Sequence, residues 1–381
     1  MNHPSGAERN KPVLSLFCGP GGLDLGFEAE GFVPLLALDK DPSAVATYNA
    51  NRPSPRPPAI QADLATVSPR SLLRLWRKRA GSGVPPAGII GGPPCQAFSI
   101  SNAYRFDGDP RAKLPLAYSA ILAAFNDEFG LDFFVLENVA GLGSPLHRES
   151  LERFLKAFEN AGFSSIYPFY LDALHFGVPQ HRRRMFIAGF NRSRFPDMQF
   201  LPPEGASDPG TVASAIRGLP EPLRFAKGID PAASGLHANH WCMNPKSTKF
   251  STDGAMQPGV HHGRSFRRLR WEAPSWTVAY GHREVHVHPD GHRRLSVYES
   301  MLIQGFPKDG YILKGTLSDQ YRLVSDAVPP PLARALAKRV SEALCLYPQP
   351  VGADLQYRTN GHALQLGMRG VQTVAPKSTS A

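Results

Sequence analysis

Between Val13 and about Phe190, short apolar runs alternate with segments of helical period, and this alternation restricts the possible folds more than any other property of the chain. The runs VLSLF (13–17), PLLAL (34–38), AIQA (59–62), AGII (87–90), FFVLE (133–137) and MFIAGF (185–190) read as strands buried on both faces. Between them, 22–30, 42–51, 71–79, 115–128 and 148–161 carry helix-like periodicity. Strands that are apolar throughout need cover on both sides, and intervening helices supply it. The pattern therefore predicts an α/β domain built on a parallel sheet with helices on both faces. After Phe190 the texture changes. Residues 191–266 are rich in Pro, Gly, Ser and His and hold few continuous apolar runs, which predicts a smaller, loop-rich domain. Helical character returns in LSVYESMLIQGF (295–306) and PPLARALAKRVSEAL (330–344), the latter opening on prolines. The expected division is 12–190 for the sheet domain, 191–294 for the small domain and 295–345 for a return to the first, with 1–11 and 348–381 as flexible tails.

Composition removes several classes. Gly (35) and Pro (37) interrupt the 381 residues too often for a coiled coil or a plain helix bundle. No apolar run approaches the ~20 residues that a bilayer crossing needs, and MNHPSGAERNKP offers no apolar segment for a secretory signal. Cys18, Cys95, Cys242 and Cys345 lie far apart without a CxxC pair. A disulfide framework and a zinc ribbon are disfavoured, and a reducing, cytoplasmic setting is expected. The net charge of +10 suits a polyanionic partner.

The first run leads into Cys18-Gly19-Pro20-Gly21-Gly22, where glycines at a strand-to-helix turn let a ligand approach the backbone. Asp39 ends the next run, 20 residues beyond Gly19, a place where an acid commonly holds a ribose hydroxyl. The spacing departs from GxGxxG because Asp24 stands at the third glycine position. An acid there repels a pyrophosphate, so an adenosine ligand without phosphates fits better, and Asp63 is placed to accept from an adenine amine. The alternative is a tight turn with solvent-facing acids.

GGPPCQAFS (91–99) closes the fourth run, and its glycines and prolines fix the backbone ahead of Cys95. That brings the sulfur to the carboxyl edge of the sheet. A lone cysteine is more often a small core hydrophobe, but this setting favours a nucleophile. Glu137-Asn138 reach the same edge, where partial burial raises a carboxyl pKa toward proton donation, a helix cap or ion pair being the alternative. In FGVPQHRRRMFIAGF (176–190), Arg182, Arg183 and Arg184 read either as a solvated charge run or as side chains aimed at the sheet edge. Alternation then gives Arg182 and Arg184 one direction.

In order and spacing, SLFCGPGG, GGPPCQAFS, LENV, QHRRR, RRLRWEAPSWTV and YESMLIQGFP resemble the motifs of the DNA cytosine-5 methyltransferases of the prokaryotic restriction-modification type. The resemblance spans nearly everything from Val13 to about Val340. It implies a Rossmann-like, S-adenosylmethionine-dependent fold with a target recognition domain, and methyl transfer to carbon 5 of a cytosine flipped out of double-stranded DNA. By motif position, Cys95 is the nucleophile that adds to carbon 6, Glu137 holds and protonates ring nitrogen 3, and Arg184 reaches the base carbonyl oxygen with Arg182 beside it. Phe17, Gly19, Gly21, Gly22, Asp39, Asp63, Pro93, Asp326 and Val328 match the cofactor pocket, with Phe17 stacking on adenine. Ser99, Ser101, Arg105 and Arg111 fall in a loop that closes over DNA. Lys246, Lys249, Arg264 and Arg267 become candidate DNA contacts. A monomer acting apart from any cognate restriction endonuclease is the implied form.

Three departures from the family pattern bear on cofactor affinity rather than on the nucleophile. Ser15 stands where the family usually has Asp, Asp326-Ala327-Val328 where Asn usually opens the last motif, and Lys40 where an apolar side chain often packs on adenine. His282, His286, His288 and His292, at spacings of 4, 2 and 4, match no zinc pattern, and no metal is expected. Rival readings are an RNA cytosine-5 methyltransferase on the same scaffold, a catalytically silent DNA-binding relative, and a nicotinamide-dependent oxidoreductase. The length of 191–266 favours duplex DNA over RNA, the presence of both Cys95 and Glu137 counts against silence, and the missing third glycine counts against the last.

Overall fold

The computed structural model describes residues 10–94, 114–205, 208–252, 257, 261–262, 265–278 and 285–346. Cys95, Ser99, Ser101, Arg105, Arg111, Arg264 and His282 lie outside the described residues, as do 1–9 and 347–381.

Each apolar run forms a strand: β1 (Lys11–Leu16), β2 (Phe32–Asp39), β3 (Ala59–Gln61), β4 (Gly88–Gly91) and β5 (Phe133–Val139), then β6 (Phe163–Asp172), which no run announced, and β7 (Arg183–Asn191). They make one seven-stranded sheet in the order β3-β2-β1-β4-β5-β7-β6. The first five pair in parallel. The expectation of a parallel sheet needs correction at the other end, because β7 runs antiparallel to both β5 and β6. After β6 the chain returns through loop 173–182 into the slot beside β5, and antiparallel pairing needs no crossover helix. FSSIYPFYLD hid β6 because Pro168 and a bulge between Ser164 and Tyr167 break its pattern, both tolerated at a sheet edge. Lys11, expected in the tail, opens β1, with its ammonium 3.3 Å from the Ser341 hydroxyl.

The helices are α1 (Gly22–Glu28), α2 (Pro42–Ala50), α3 (Pro69–Ala80), α4 (Leu114–Phe129), α5 (Arg148–Asn160), α6 (Val212–Ile216), α7 (Val297–Ile303), α8 (Leu317–Asp326) and α9 (Pro330–Leu346). Asp41 and Ser68 cap α2 and α3 by accepting backbone N–H groups, each followed by proline at the first helical position. On one face of the sheet, Phe27 of α1 and Leu332, Leu336 and Val340 of α9 join Val13, Phe133 and Phe186. On the other, Trp76, Phe125 and Phe158 from α3, α4 and α5 join Leu14, Leu36, Ile89 and Phe134. Each such side chain contributes roughly 1.5–3 kcal/mol on full burial.

A third core unites Val212, Ile216, Leu269 and Val278 with Val297, Met301, Leu317, Tyr321 and Val324. Helices α7 and α8 thus pack into this third core, while Val328 and α9 join the first. An amphipathic helix declares that one face is buried but not which core buries it. Among the described residues, no helix is long and apolar enough to cross a membrane.

The strand order reverses between β1 and β4. In open α/β sheets the crevice at the carboxyl ends of such a strand pair is where ligands bind. Here it receives the turn from Phe17 to Gly22 and the segment from Gly92 to Pro94.

Candidate active site

The turn after β1 is held in left-handed backbone conformations, with φ of +54° at Phe17, +54° at Gly19 and +89° at Gly21. For Phe17 that conformation costs on the order of 1–3 kcal/mol, and strain of this kind clusters at functional sites. A Cβ at Gly22 would lie 2.2 Å from the Val328 carbonyl oxygen, so the turn rests directly on the α8–α9 connection. Gly19 N and Asp41 N each donate to Asp39, at 2.9 Å and 2.9 Å. Burial raises the Asp39 pKa, and these two bonds oppose the rise.

Two cavities meet at Phe17. One, of about 530 Å³, is lined by Phe17, Asp39, Lys40, Ala62, Asp63, Leu64, Pro94 and Leu114 among others, which gives an aromatic ring, an apolar floor and acids for a nucleoside. The other, of about 350 Å³, lies under the glycine turn and includes Ser15, Gly19, Gly22, Asp24, Glu137, Asp326 and Val328 in its wall. Among the described residues it holds three carboxylates and no basic side chain, so it suits a cationic group. Of the residues expected in the cofactor pocket, Gly21 and Pro93 line neither cavity. Behind Gly21 stands the Arg52 guanidinium, 2.8 Å from where a Cβ would be, and Pro93 serves through its carbonyl, as described below. Asp63 is exposed at the rim, two residues past β3, where it accepts from Ala65 N at 2.9 Å.

At the edge formed by β4 and β5, Gly91 pairs with Leu136, which brings Glu137 alongside Gly92. A Cβ at Gly92 would stand 2.8 Å from Glu137 Oε2, so only glycine lets the carboxylate lie this close to the chain leading to Cys95. Asn138, fully buried, donates to the Pro93 carbonyl at 3.2 Å and ties that chain to β5. The residue's role was not legible from LENV alone. Across the antiparallel pair, Arg184 lies opposite Val139, and its Nε sits 3.1 Å from Glu137 Oε1 with both side chains 13% exposed. Burial raises the Glu137 pKa, opposed by Arg184 and then Arg182. The arrangement holds an acid in place and biases it toward its protonated form.

Arg182 and Arg184 do not share a target, contrary to the expectation from alternation. β7 begins at Arg183, so Arg182 precedes the pleat. Its side chain, 1% exposed, donates to the carbonyls of Val278 at 3.0 Å, Ser325 at 2.6 Å and Ala327 at 2.9 Å. Gln180 completes the joint, accepting from Val278 N at 2.9 Å and donating to Gln304 Oε1 at 2.8 Å, while Gln304 donates to the Ala327 carbonyl at 2.6 Å. QHRRR and EAPSWTV, separate motifs in the sequence, thus fasten together against the 325–327 wall of the smaller cavity. Replacing Arg182 with alanine should cost about 3 kcal/mol, because a charged donor is withdrawn from buried carbonyls, and should lower the melting temperature by several degrees. Arg184→Ala should melt close to the native protein and lose turnover instead. Thermal denaturation of both variants checks this, and an unchanged melting temperature for Arg182→Ala would count against the bracing role.

Beyond β7, Lys246 is exposed, Lys249 and Arg294 stand over the Phe266 ring at 5.3 Å and 4.4 Å, and Arg267 on strand β8 (Ser265–Arg268) pairs with His286. Of the four histidines, His288 and His292 approach each other with Asp290 between them in the chain, their ligand-capable atoms within 4.8 Å. Arg293 lies against this group and forks onto Glu299 with two bonds of 2.8 Å, while its Nε reaches Glu221 at 2.9 Å and 3.0 Å. An ion-pair network accounts for these side chains.

A seven-stranded sheet with one reversed strand, a strained glycine turn at the switch point and an acid-arginine pair beside a Pro-Pro-Cys segment define a Rossmann-like methyltransferase. The family model for C-5 cytosine-specific DNA methylases matches residues 12–342, and the chain belongs to that family. It is 30% identical over 356 residues to the Type II methyltransferase M.FnuDI of Fusobacterium nucleatum, covering 87% of this chain and 94% of the relative. With the Type II methyltransferase M.MthTI of Methanothermobacter thermautotrophicus it shares 30% identity over 359 residues, 88% of this chain and 98% of the relative. The fold recurs in an E. coli prophage-encoded protein described as a DNA modification methyltransferase, with a TM-score of 0.72 at 22% identity over 88% of this chain and 99% of that one. It recurs also in the Dnmt2 methyltransferase of S. pombe, with a TM-score of 0.55 at 16% identity and the same coverage, 88% and 99%.

Proposed function

We propose that this methylase transfers the methyl group of S-adenosylmethionine to carbon 5 of a flipped-out cytosine in a specific duplex sequence, by way of a covalent Cys95 adduct. The observation that carries the reading is the Glu137–Arg184 pair, partly buried next to Gly92 at the mouth of the acid-lined cavity. S-adenosylmethionine, when bound, supplies an electrophilic methyl group. Phe17, Asp39 and Asp63 would hold its nucleoside, and the turn at Gly19 and Gly22 with Val328 would enclose the rest.

Carbon 5 of cytosine is a poor nucleophile, which the remaining residues overcome. The Cys95 thiolate forms a bond to carbon 6, Glu137 shares its proton with ring nitrogen 3, and Arg184 faces the base carbonyl oxygen, so electron density moves to carbon 5. Once carbon 5 is methylated, loss of its proton returns the electron pair and expels the thiolate. We place the enzyme in the cytoplasm as a monomer, acting apart from any cognate endonuclease. The test is methyl transfer from tritiated S-adenosylmethionine to duplex DNA and, in parallel, to transfer RNA. Label in DNA alone, mapped by bisulfite sequencing to one cytosine context, is the expected result, and label in transfer RNA alone would favour the RNA reading.

Two further outcomes follow from the geometry. Asp63→Ala should weaken cofactor binding by about tenfold, since the exposed carboxylate places its hydrogen bond near the lower end, about 1.5 kcal/mol, for a charged group. DNA affinity should be nearly unchanged, and calorimetry showing the same cofactor affinity would remove Asp63 from the site. Exchanging residues 191–266 for the matching segment of a relative with another target should move methylation to the new sequence, because Cys95, Glu137 and Arg184 all lie outside it. Bisulfite sequencing of DNA modified by the hybrid reads the result.

A further inference from the structure

The least expected group in the smaller cavity is Asp24, in the first turn of α1 and 0% exposed. One of its carboxylate oxygens accepts from the Tyr48 hydroxyl at 2.8 Å, and the other, Oδ2, has no hydrogen-bond partner among the described residues. On the facing strand the hydroxyl of Ser15, also 0% exposed, likewise has none. Both residues line the cavity under the glycine turn. A buried polar group left without a partner is costly, and two such groups facing one cavity point to a ligand that satisfies them.

The charges around Asp24 define that ligand. Arg52 is the nearby cation, but its guanidinium is spent on Glu28, at 2.6 Å and 2.7 Å, and lies 3.9 Å over the Tyr48 ring. The other acids of the cavity are differently placed: Glu137 has Arg184, and Asp326 is half exposed, 3.9 Å from Arg322. Burial lifts the Asp24 pKa to about 6, with Arg52 opposing and Glu28 adding to the rise, and Ser15 is near enough to favour the ionised form without closing a hydrogen bond. A cation that donates a hydrogen bond would answer the charge and the open acceptor together.

We propose that Asp24 receives the α-ammonium group of the cofactor's methionine end, with Ser15 beside it, an assignment that rests on the S-adenosylmethionine reading above. The two sequence peculiarities then become a single exchange. The carboxylate that Ser15 removes from β1 is supplied to the same cavity from α1 by Asp24. The inference concerns how this chain selects its cofactor, and it leaves the chemistry at cytosine as described.

Calorimetry with S-adenosylhomocysteine and with its analogue lacking the α-amino group separates the possibilities. The native enzyme should bind S-adenosylhomocysteine about tenfold or more tighter than the analogue, the scale of one charge-assisted bond. Asp24→Asn, which keeps an acceptor for Tyr48, should weaken S-adenosylhomocysteine by about tenfold, leave the analogue within about twofold, and so close the gap. The double variant Ser15→Asp, Asp24→Ser should regain the preference, because the carboxylate returns to the cavity from the other wall. A preference that survives Asp24→Asn, or equal weakening of both ligands, overturns the assignment. So does a folded double variant that binds both ligands alike, which keeps the test open should Asp24→Asn fail to fold. If the native enzyme binds neither ligand, the cofactor reading itself fails, and that result is distinct from the others.

Discussion

Cys95→Ala is expected to abolish methyl transfer, with turnover reduced by on the order of 10⁴-fold or more, as when a covalent nucleophile is removed from other enzymes. An alanine side chain cannot add to carbon 6, and without that addition carbon 5 stays too poor a nucleophile to take the methyl group. Folding and DNA binding should survive, because Gly92 and the bond from Asn138 to the Pro93 carbonyl hold the chain that leads to position 95. Initial rates with labelled cofactor and a filter-binding assay with duplex DNA measure the two properties separately. Substantial turnover by Cys95→Ala would remove the covalent step from the mechanism.

Glu137→Gln should be the next most damaging change, lowering turnover by roughly 10²- to 10⁴-fold, the range for loss of a positioned general acid. The amide can still hydrogen-bond but has no acidic proton to share with ring nitrogen 3. The direction of the Glu137 pKa shift adds a test. Burial raises it against the pull of Arg184 and Arg182, so the proton-bearing form persists above the ordinary carboxylate range. Turnover of the native enzyme should fall as pH rises through that elevated pKa, and the residual activity of Glu137→Gln should lack this limb. A variant with the same alkaline limb would assign the titration to another group.

The sheet domain was legible because continuously apolar strands such as FFVLE announce burial on two faces, and six of the seven strands were found that way. Where signals were local, they matched the local backbone. Glycines after β1 implied a close backbone approach, and the acid ending β2 stands where its neighbours Gly19 and Asp41 hold it. Non-local facts were hidden. Nothing in FSSIYPFYLD reveals an edge strand tolerant of a proline, and nothing in YESMLIQGFP says that α7 buries its face against Val212 and Leu269 rather than against the sheet. Arg182 shows the same limit, since strand alternation assumes that the strand has begun, and β7 starts one residue later. Asp24 was read as an acid that repels phosphate, but its unpartnered oxygen and its position facing Ser15 exist only in three dimensions.

A covalent cysteine mechanism on duplex DNA, with S-adenosylmethionine as methyl donor, can be trapped in a single experiment. Duplex DNA carrying 5-fluorocytosine at the target is incubated with enzyme and S-adenosylmethionine and analysed on a denaturing gel. Fluorine cannot leave carbon 5 as a proton does, so the thiolate cannot be expelled once the methyl group has been delivered. The expected result of that mechanism is a denaturant-stable complex that requires the cofactor, fails to form with Cys95→Ala, and yields a cross-linked peptide containing Cys95 by mass spectrometry. No complex under conditions where ordinary duplex DNA is methylated, or a complex that persists in Cys95→Ala, would contradict it.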